Sequence, residues 1–204
     1  MDVAVIHISR EITSSDASAI FEVTIDGEKY AMKVYHDDGD PGYSENGRSL
    51  NRFRCERNAY KNLSVAGVCE RGFVPRFYGV IERVNPTTFK PFLNHFTDNK
   101  FHPSAILLEY LPNAESLNYA VQGMKEIHKG GVFHEDIYPK NLLLVRDDTR
   151  PKTTRLVWID FDVSTTFMEF GEKERSDCEF KIKLVKEFGE ALEWEGLPPN
   201  TKYY

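Results

Sequence analysis

Apolar and polar positions alternate along the first third of the chain, as Ala19, Phe21, Val23 and Ile25, then as Tyr30, Met32 and Val34, with Asp26-Gly27 between the two runs. A period of two marks one face of a strand, and Asp-Gly between two such runs marks a tight reversal, so the pattern predicts a β-hairpin over 18–35. Residues 3–8 read as an earlier strand. The stretch 36–47 is rich in turn formers and acids and reads as an exposed loop. From 48 to 64 the apolar residues recur at helical spacing among charged ones, which predicts an amphipathic helix closed by Gly67.

Residues 77–83 and 105–110 read as two more strands, and the Pro-, Asn- and Phe-containing stretch 85–103 between them carries no periodicity from which to assign an element. Leu117, Val121, Met124 and Ile127 fall on one face of a helix over 114–128, ended by Gly130-Gly131. Short strands follow at 142–145 and 155–159, joined by a polar turn, and a last helix is predicted over 174–194. Strands crowd the first half and helices the second, an α+β order.

The chain has 204 residues, of which 41% are hydrophobic and 28% charged, the composition of a globular chain that needs no metal or disulfide staple. Its apolar runs are far shorter than the roughly 18 residues of a membrane span. The formal net charge of −6 argues against a general nucleic-acid or anionic-membrane binder. The first residues lack the apolar stretch of a signal peptide. Three cysteines, Cys55, Cys69 and Cys178, show no C-x-x-C spacing, so neither a disulfide framework nor a zinc site is expected. A reducing compartment follows as the expectation, cytoplasmic or nuclear.

Chemistry concentrates in two places in the second half. The string FHEDIYPKN holds His134, Asp136 and Asn141 in the order H-x-D-x-x-x-x-N, and further on an apolar VWI run delivers Asp160-Phe161-Asp162. Upstream, the strand YAMKVY carries Lys33, and CERNAY in the first predicted helix carries Glu56. In this order and on these elements, the four features resemble the protein-kinase-like fold over roughly residues 12–195. The resemblance implies a bilobal architecture spanning 1–204 as one domain: an N-lobe of antiparallel sheet plus one helix (1–110) and a minimal helical C-lobe (111–204).

It also implies roles. Phosphoryl transfer asks of a protein mainly positioning and charge neutralisation, with ATP and Mg²⁺ in a cleft. Lys33 would meet the phosphates, Glu56 would hold Lys33, and Asp136 would receive or orient the acceptor hydroxyl, with Lys140 supplying charge beside it. Asn141 and Asp160 offer oxygen ligands to the metal. His134 is read as structural, and Asp162 as a loop acid or an indirect metal contact. The nucleotide-binding set adds Ser14, Ser15 and Ser18, together with Glu109 and Leu111 on the segment joining the two halves. Lys33→Ala is expected to weaken turnover more than folding.

Several positions depart from the family. The first reversal reads TSSDASAIF, without the glycines that let a backbone approach phosphate closely. Glu135 and Tyr138 stand where many protein kinases carry arginine and lysine, and the roughly dozen residues between Asp162 and the last predicted helix leave no room for the usual activation segment. The leading reading is therefore an ATP- and Mg²⁺-dependent phosphotransferase acting on a hydroxyl, an atypical Ser/Thr protein kinase of the compact Rio or KEOPS type. The alternatives are a pseudokinase scaffold or nucleotide-binding regulator, and a small-molecule kinase of the aminoglycoside or choline type. The short second half, with Phe167, Phe170, Trp194 and Leu197, suggests a protein partner or self-association through the C-terminal region.

Overall fold

A computed structural model describes residues 5–45, 47–111, 120–146 and 154–195. The Asp26-Gly27 reversal organises its first half. Asp26 (φ 50°) and Gly27 (φ 85°) both lie in the left-handed region, as a two-residue reversal matched to strand twist requires. They join β2 (Ser18–Ile25) to β3 (Glu28–Tyr35), paired in register from Ser18 with Tyr35 to Ile25 with Glu28.

Three more strands, β1 (Ile6–Ser14), β4 (Phe77–Ile81) and β5 (Ser104–Glu109), complete an antiparallel five-stranded sheet of order β1-β2-β3-β5-β4. The first strand runs on to Ser14, past the predicted end at residue 8. It is a mostly exposed edge whose charged residues, Arg10 and Glu11, interrupt the apolar alternation, and it carries two register irregularities.

The helix α1 (Arg52–Val65) starts four residues later than its apolar spacing predicts. Asn51 is extended there, and its side chain accepts the Arg54 amide at 2.8 Å, which makes it the cap. At the other end Val68 N–H bonds the Leu63 carbonyl and Gly67 N–H bonds that of Ser64. Gly67 takes φ +68°, the left-handed stop that this closure needs.

Because side chains alternate across a strand, β2 and β3 sort their residues onto two faces. Phe21, Val23, Met32 and Val34 point to one, where they are buried with Leu93, Phe96 and Ala105. Leu93 and Phe96 come from the stretch 85–103, which folds as two single 3₁₀ turns, Pro86–Phe89 and Asn94–Phe96, over that face. Ala31 and Tyr35 belong to the other face and pack with Tyr60 and Leu63 of α1 in a larger core.

That core continues into the second half. The helix α2 (Ala120–Lys129) is followed by β6 (Val132–Phe133), β7 (Leu142–Arg146), β8 (Thr154–Trp158), β9 (Thr165–Thr166) and α3 (Glu172–Glu195). The strands pair as two small antiparallel ribbons, β6 with β9 and β7 with β8. Trp158 is buried under α2, donating Nε1–H to the Ala120 carbonyl at 3.0 Å. Gly123 leaves the room for it, since a Cβ there would meet the indole at 3.0 Å.

Among the described residues there are three α-helices, and none is long and apolar enough to cross a membrane. Several expectations fall outside the described residues: positions 3–4 of the first predicted strand, Leu117 with the first turns of the helix over 114–128, the turn joining the strands at 142–145 and 155–159, the side chain of Trp194, and Leu197. Phe167 and Phe170 stack edge to face at 5.2 Å, with Phe170 exposed.

Candidate functional site

Lys33 sits on the central strand of the sheet, opposite Ile20 of β2 and Ile106 of β5, and on the same face as Ala31 and Tyr35. Its side chain is 7% exposed, and its ammonium lies 2.8 Å from Glu56 Oε2 and 2.7 Å from Asp160 Oδ1. Helix α1 delivers Glu56 from one side, and the turn after β8 delivers Asp160 from the other. Burial opposes a charge on Lys33, but the two carboxylates outweigh it and hold the amine firmly protonated. For Asp160 burial is likewise opposed by Lys33, which keeps its carboxyl below the ordinary range. Burial wins at Glu56, whose carboxyl is pushed up despite Lys33.

Asp160 takes φ +63°, a left-handed conformation uncommon for a residue with a side chain. Its neighbours hold the turn in place. Ile159 N–H bonds the Asn141 carbonyl at 2.9 Å, His134 Nε2 bonds the Ile159 carbonyl at 3.0 Å, and Phe161 is buried against Tyr60 and His134. A carbonyl only accepts, so Nε2 carries the proton. Burial lowers the His134 pKa to about 4, which keeps the ring neutral in this structural role. Asp162 pairs with Arg52 of α1 at 2.9 Å.

The segment 134–141 forms the opposite side. Lys140 Nζ is 2.9 Å from Asp136 Oδ2, and Asn141 donates its side-chain N–H to the Asp136 carbonyl at 2.9 Å. With its nitrogen committed, Asn141 offers its amide oxygen to the cleft it lines. Asp136 Oδ1 is buried and has no hydrogen-bond partner among the described residues. Such an atom is costly unless something polar reaches it.

Between these walls lies a cavity of about 300 Å³. Ile20, Ala31, Leu108 and Ile159 line it as apolar residues, and Lys33, Lys140, Asn141, Asp160 and Asp162 as polar ones. A lining that mixes apolar and charged side chains suits a ligand with both a flat ring and an anionic group.

Not every expected residue behaves alike. Ser14, Ser15, Ser18 and Glu109 line the cavity, but the Ser15 hydroxyl accepts the Ala17 and Ser18 amides at 3.3 Å each, and Ser15 N–H bonds the Ser18 carbonyl. The reversal therefore spends these donors on itself. Glu109 turns its carboxylate to Arg155 and to the Arg76 amide. Leu111 is not in the cavity lining: it is buried with Leu143, Val145 and Val157, because a leucine at that bend gains more by joining an apolar cluster.

The structure adds residues that motif reading missed, namely Thr13 and the apolar lining, together with Tyr35, whose hydroxyl donates to Glu56 Oε2. Its spacing of two from Lys33 was the available signal, since it places both on one face.

As to metals, no three His, Cys, Asp or Glu side chains among the described residues gather into a metal-holding group. Asn141 and Asp160 supply two hard oxygen donors, a set that fits Mg²⁺ when phosphate and water complete its shell. No protein-family model and no curated protein matches this chain.

Proposed function

We propose that the chain is a phosphotransferase of protein-kinase-like, bilobal fold that moves a phosphoryl group from ATP to a hydroxyl acceptor. The sheet and α1 make up its N-lobe and the elements from α2 onward a reduced C-lobe. The observation that carries this reading is Lys33, buried between Glu56 and Asp160 in the wall of a cavity that apolar residues also line. A structural lysine has little reason to be enclosed with two acids, whereas a phosphate-binding one needs a fixed, protonated amine.

Lys33 would bind the phosphates, and the apolar lining around Ala31 and Leu108 would take the base. Asn141 and Asp160 would hold Mg²⁺, which supplies positive charge against the triphosphate oxygens. Asp136, whose Oδ1 is buried without a partner among the described residues, would orient an acceptor hydroxyl and receive its proton, while Lys140 holds Oδ2. A Ser or Thr hydroxyl of a protein is the proposed acceptor.

A second reading, a nucleotide-binding module without turnover, draws support from the β1–β2 reversal, whose donors are spent internally. Incubation with γ-labelled ATP and Mg²⁺ separates the two. Label transfer that disappears in Asp160→Ala supports the enzyme. A nucleotide-dependent rise in stability, about 2.7 kcal/mol at a hundredfold excess over Kd, without transfer supports the module. Neither effect at millimolar nucleotide refutes both.

A further inference from the structure

Glu56 is held by more than the lysine it was expected to meet. Its Oε2 receives the Lys33 ammonium and the Tyr35 hydroxyl together. The two donors differ in how freely they can leave. Lys33 is shared, because Asp160 Oδ1 claims it at 2.7 Å as well. Tyr35 is fixed by the sheet: it pairs with Ser18 on one side and Ser104 on the other, and is 2% exposed. Its ring meets Phe53 of α1 edge to face at 5.6 Å.

We infer that Tyr35 is a positioning residue, keeping Glu56 and hence α1 in place when Lys33 is drawn toward an anionic ligand. This rests on the reading of the cleft given above. A phosphate in the cavity competes with Glu56 for the ammonium. Glu56 is 1% exposed and has no water to fall back on, so a weakened lysine contact would leave a buried carboxylate short of a donor. The tyrosine hydroxyl is that donor, supplied from a strand that cannot follow the ligand. It makes the register of α1 against β3 independent of where the lysine points.

Tyr35→Phe removes the hydroxyl and keeps the ring. The expected result is a kcat lowered roughly tenfold with the KM for ATP within about threefold, because the loss falls on the assembled site and not on initial binding. In the ligand-free protein, hydrogen exchange of α1 amides should speed up about tenfold relative to α2. In a Glu56→Ala background, adding Tyr35→Phe should change neither readout by more than about twofold, as two residues acting through one contact require.

Wild-type kcat and unchanged α1 exchange in Tyr35→Phe would overturn the inference while leaving the phosphotransferase reading intact. Faster α1 exchange in a protein whose wild type transfers no phosphate upholds the tyrosine's hold on Glu56 and defeats the reading instead. Should Tyr35→Phe not fold, hydrogen exchange of the wild-type protein with and without ATP and Mg²⁺ serves: α1 amides as protected with nucleotide as without it are expected, whereas loss of α1 protection on adding nucleotide overturns the inference.

Discussion

Two lysine–carboxylate pairs flank the cleft, and their surroundings differ. Lys33 and Glu56 are 7% and 1% exposed, enclosed by the sheet and α1, with Asp160 and Tyr35 completing the cluster. Lys140 and Asp136 are 47% and 22% exposed, Lys140 on the short 3₁₀ turn Pro139–Asn141 and Asp136 just before it, at the opposite side. The first pair is part of the core and cannot be broken without stranding a charge. The second is more open, with the Lys140 ammonium reaching water, so its geometry serves what enters the cleft more than it serves folding. Pairing in itself therefore says little about stability; enclosure decides it.

The largest expected effect comes from breaking the enclosed pair. Glu56→Ala should lower folding stability by about 3–5 kcal/mol, read by denaturant unfolding, while Asp136→Asn should leave it within about 1 kcal/mol. Turnover should respond the other way for the second variant, falling about 10²–10⁴-fold in Asp136→Asn if that carboxylate handles the acceptor proton. Equal stability losses in the two variants would erase the contrast.

An intermediate effect sharpens it through pH. His128 is buried against Phe133 with neither ring nitrogen hydrogen-bonded among the described residues, and burial lowers its pKa to about 4 from 6.5. The unfolded chain then binds more protons between those values, so stability is full above pH 6.5 and declines as pH falls through about 4. The decline should approach about 3 kcal/mol from this residue, and His128→Phe should make it shallower in a series of melting curves, the like share of His134 remaining. The smallest effect is that of Lys140→Ala, expected at about 0–1 kcal/mol in the same unfolding assay.

The expectation that Lys33→Ala weakens turnover more than folding now has to include a folding cost that its surroundings add. Sequence shows a lysine on a strand, but only the fold shows that two carboxylates close over it, so its removal leaves Glu56 and Asp160 facing each other without a cation. The hairpin was legible because period two and an Asp-Gly pair are both local signals. The span of α3 was legible within two residues for the same reason, as helical spacing needs no distant partner. The cover over the outer face of the sheet was not, because 3₁₀ turns built around prolines have no periodicity to read. Tyr35 and Leu111 were misjudged or missed for one cause: a tyrosine and a leucine are ordinary core residues until a carboxylate or an apolar cluster across the chain gives them a direction.

Trp158 gives the molecule an optical property. Its indole is 1% exposed and lies 5.5 Å, edge-on, from the His134 ring. An indole so shielded emits at short wavelength, and a protonated imidazole beside it quenches by accepting an electron. Emission from Trp158 should therefore dim as the medium is acidified toward the His134 pKa of about 4, before the red shift that signals water entering the core. His134 also grips the carbonyl of Ile159, next to Asp160, so this fluorescence follows the state of the cleft's backbone without a label.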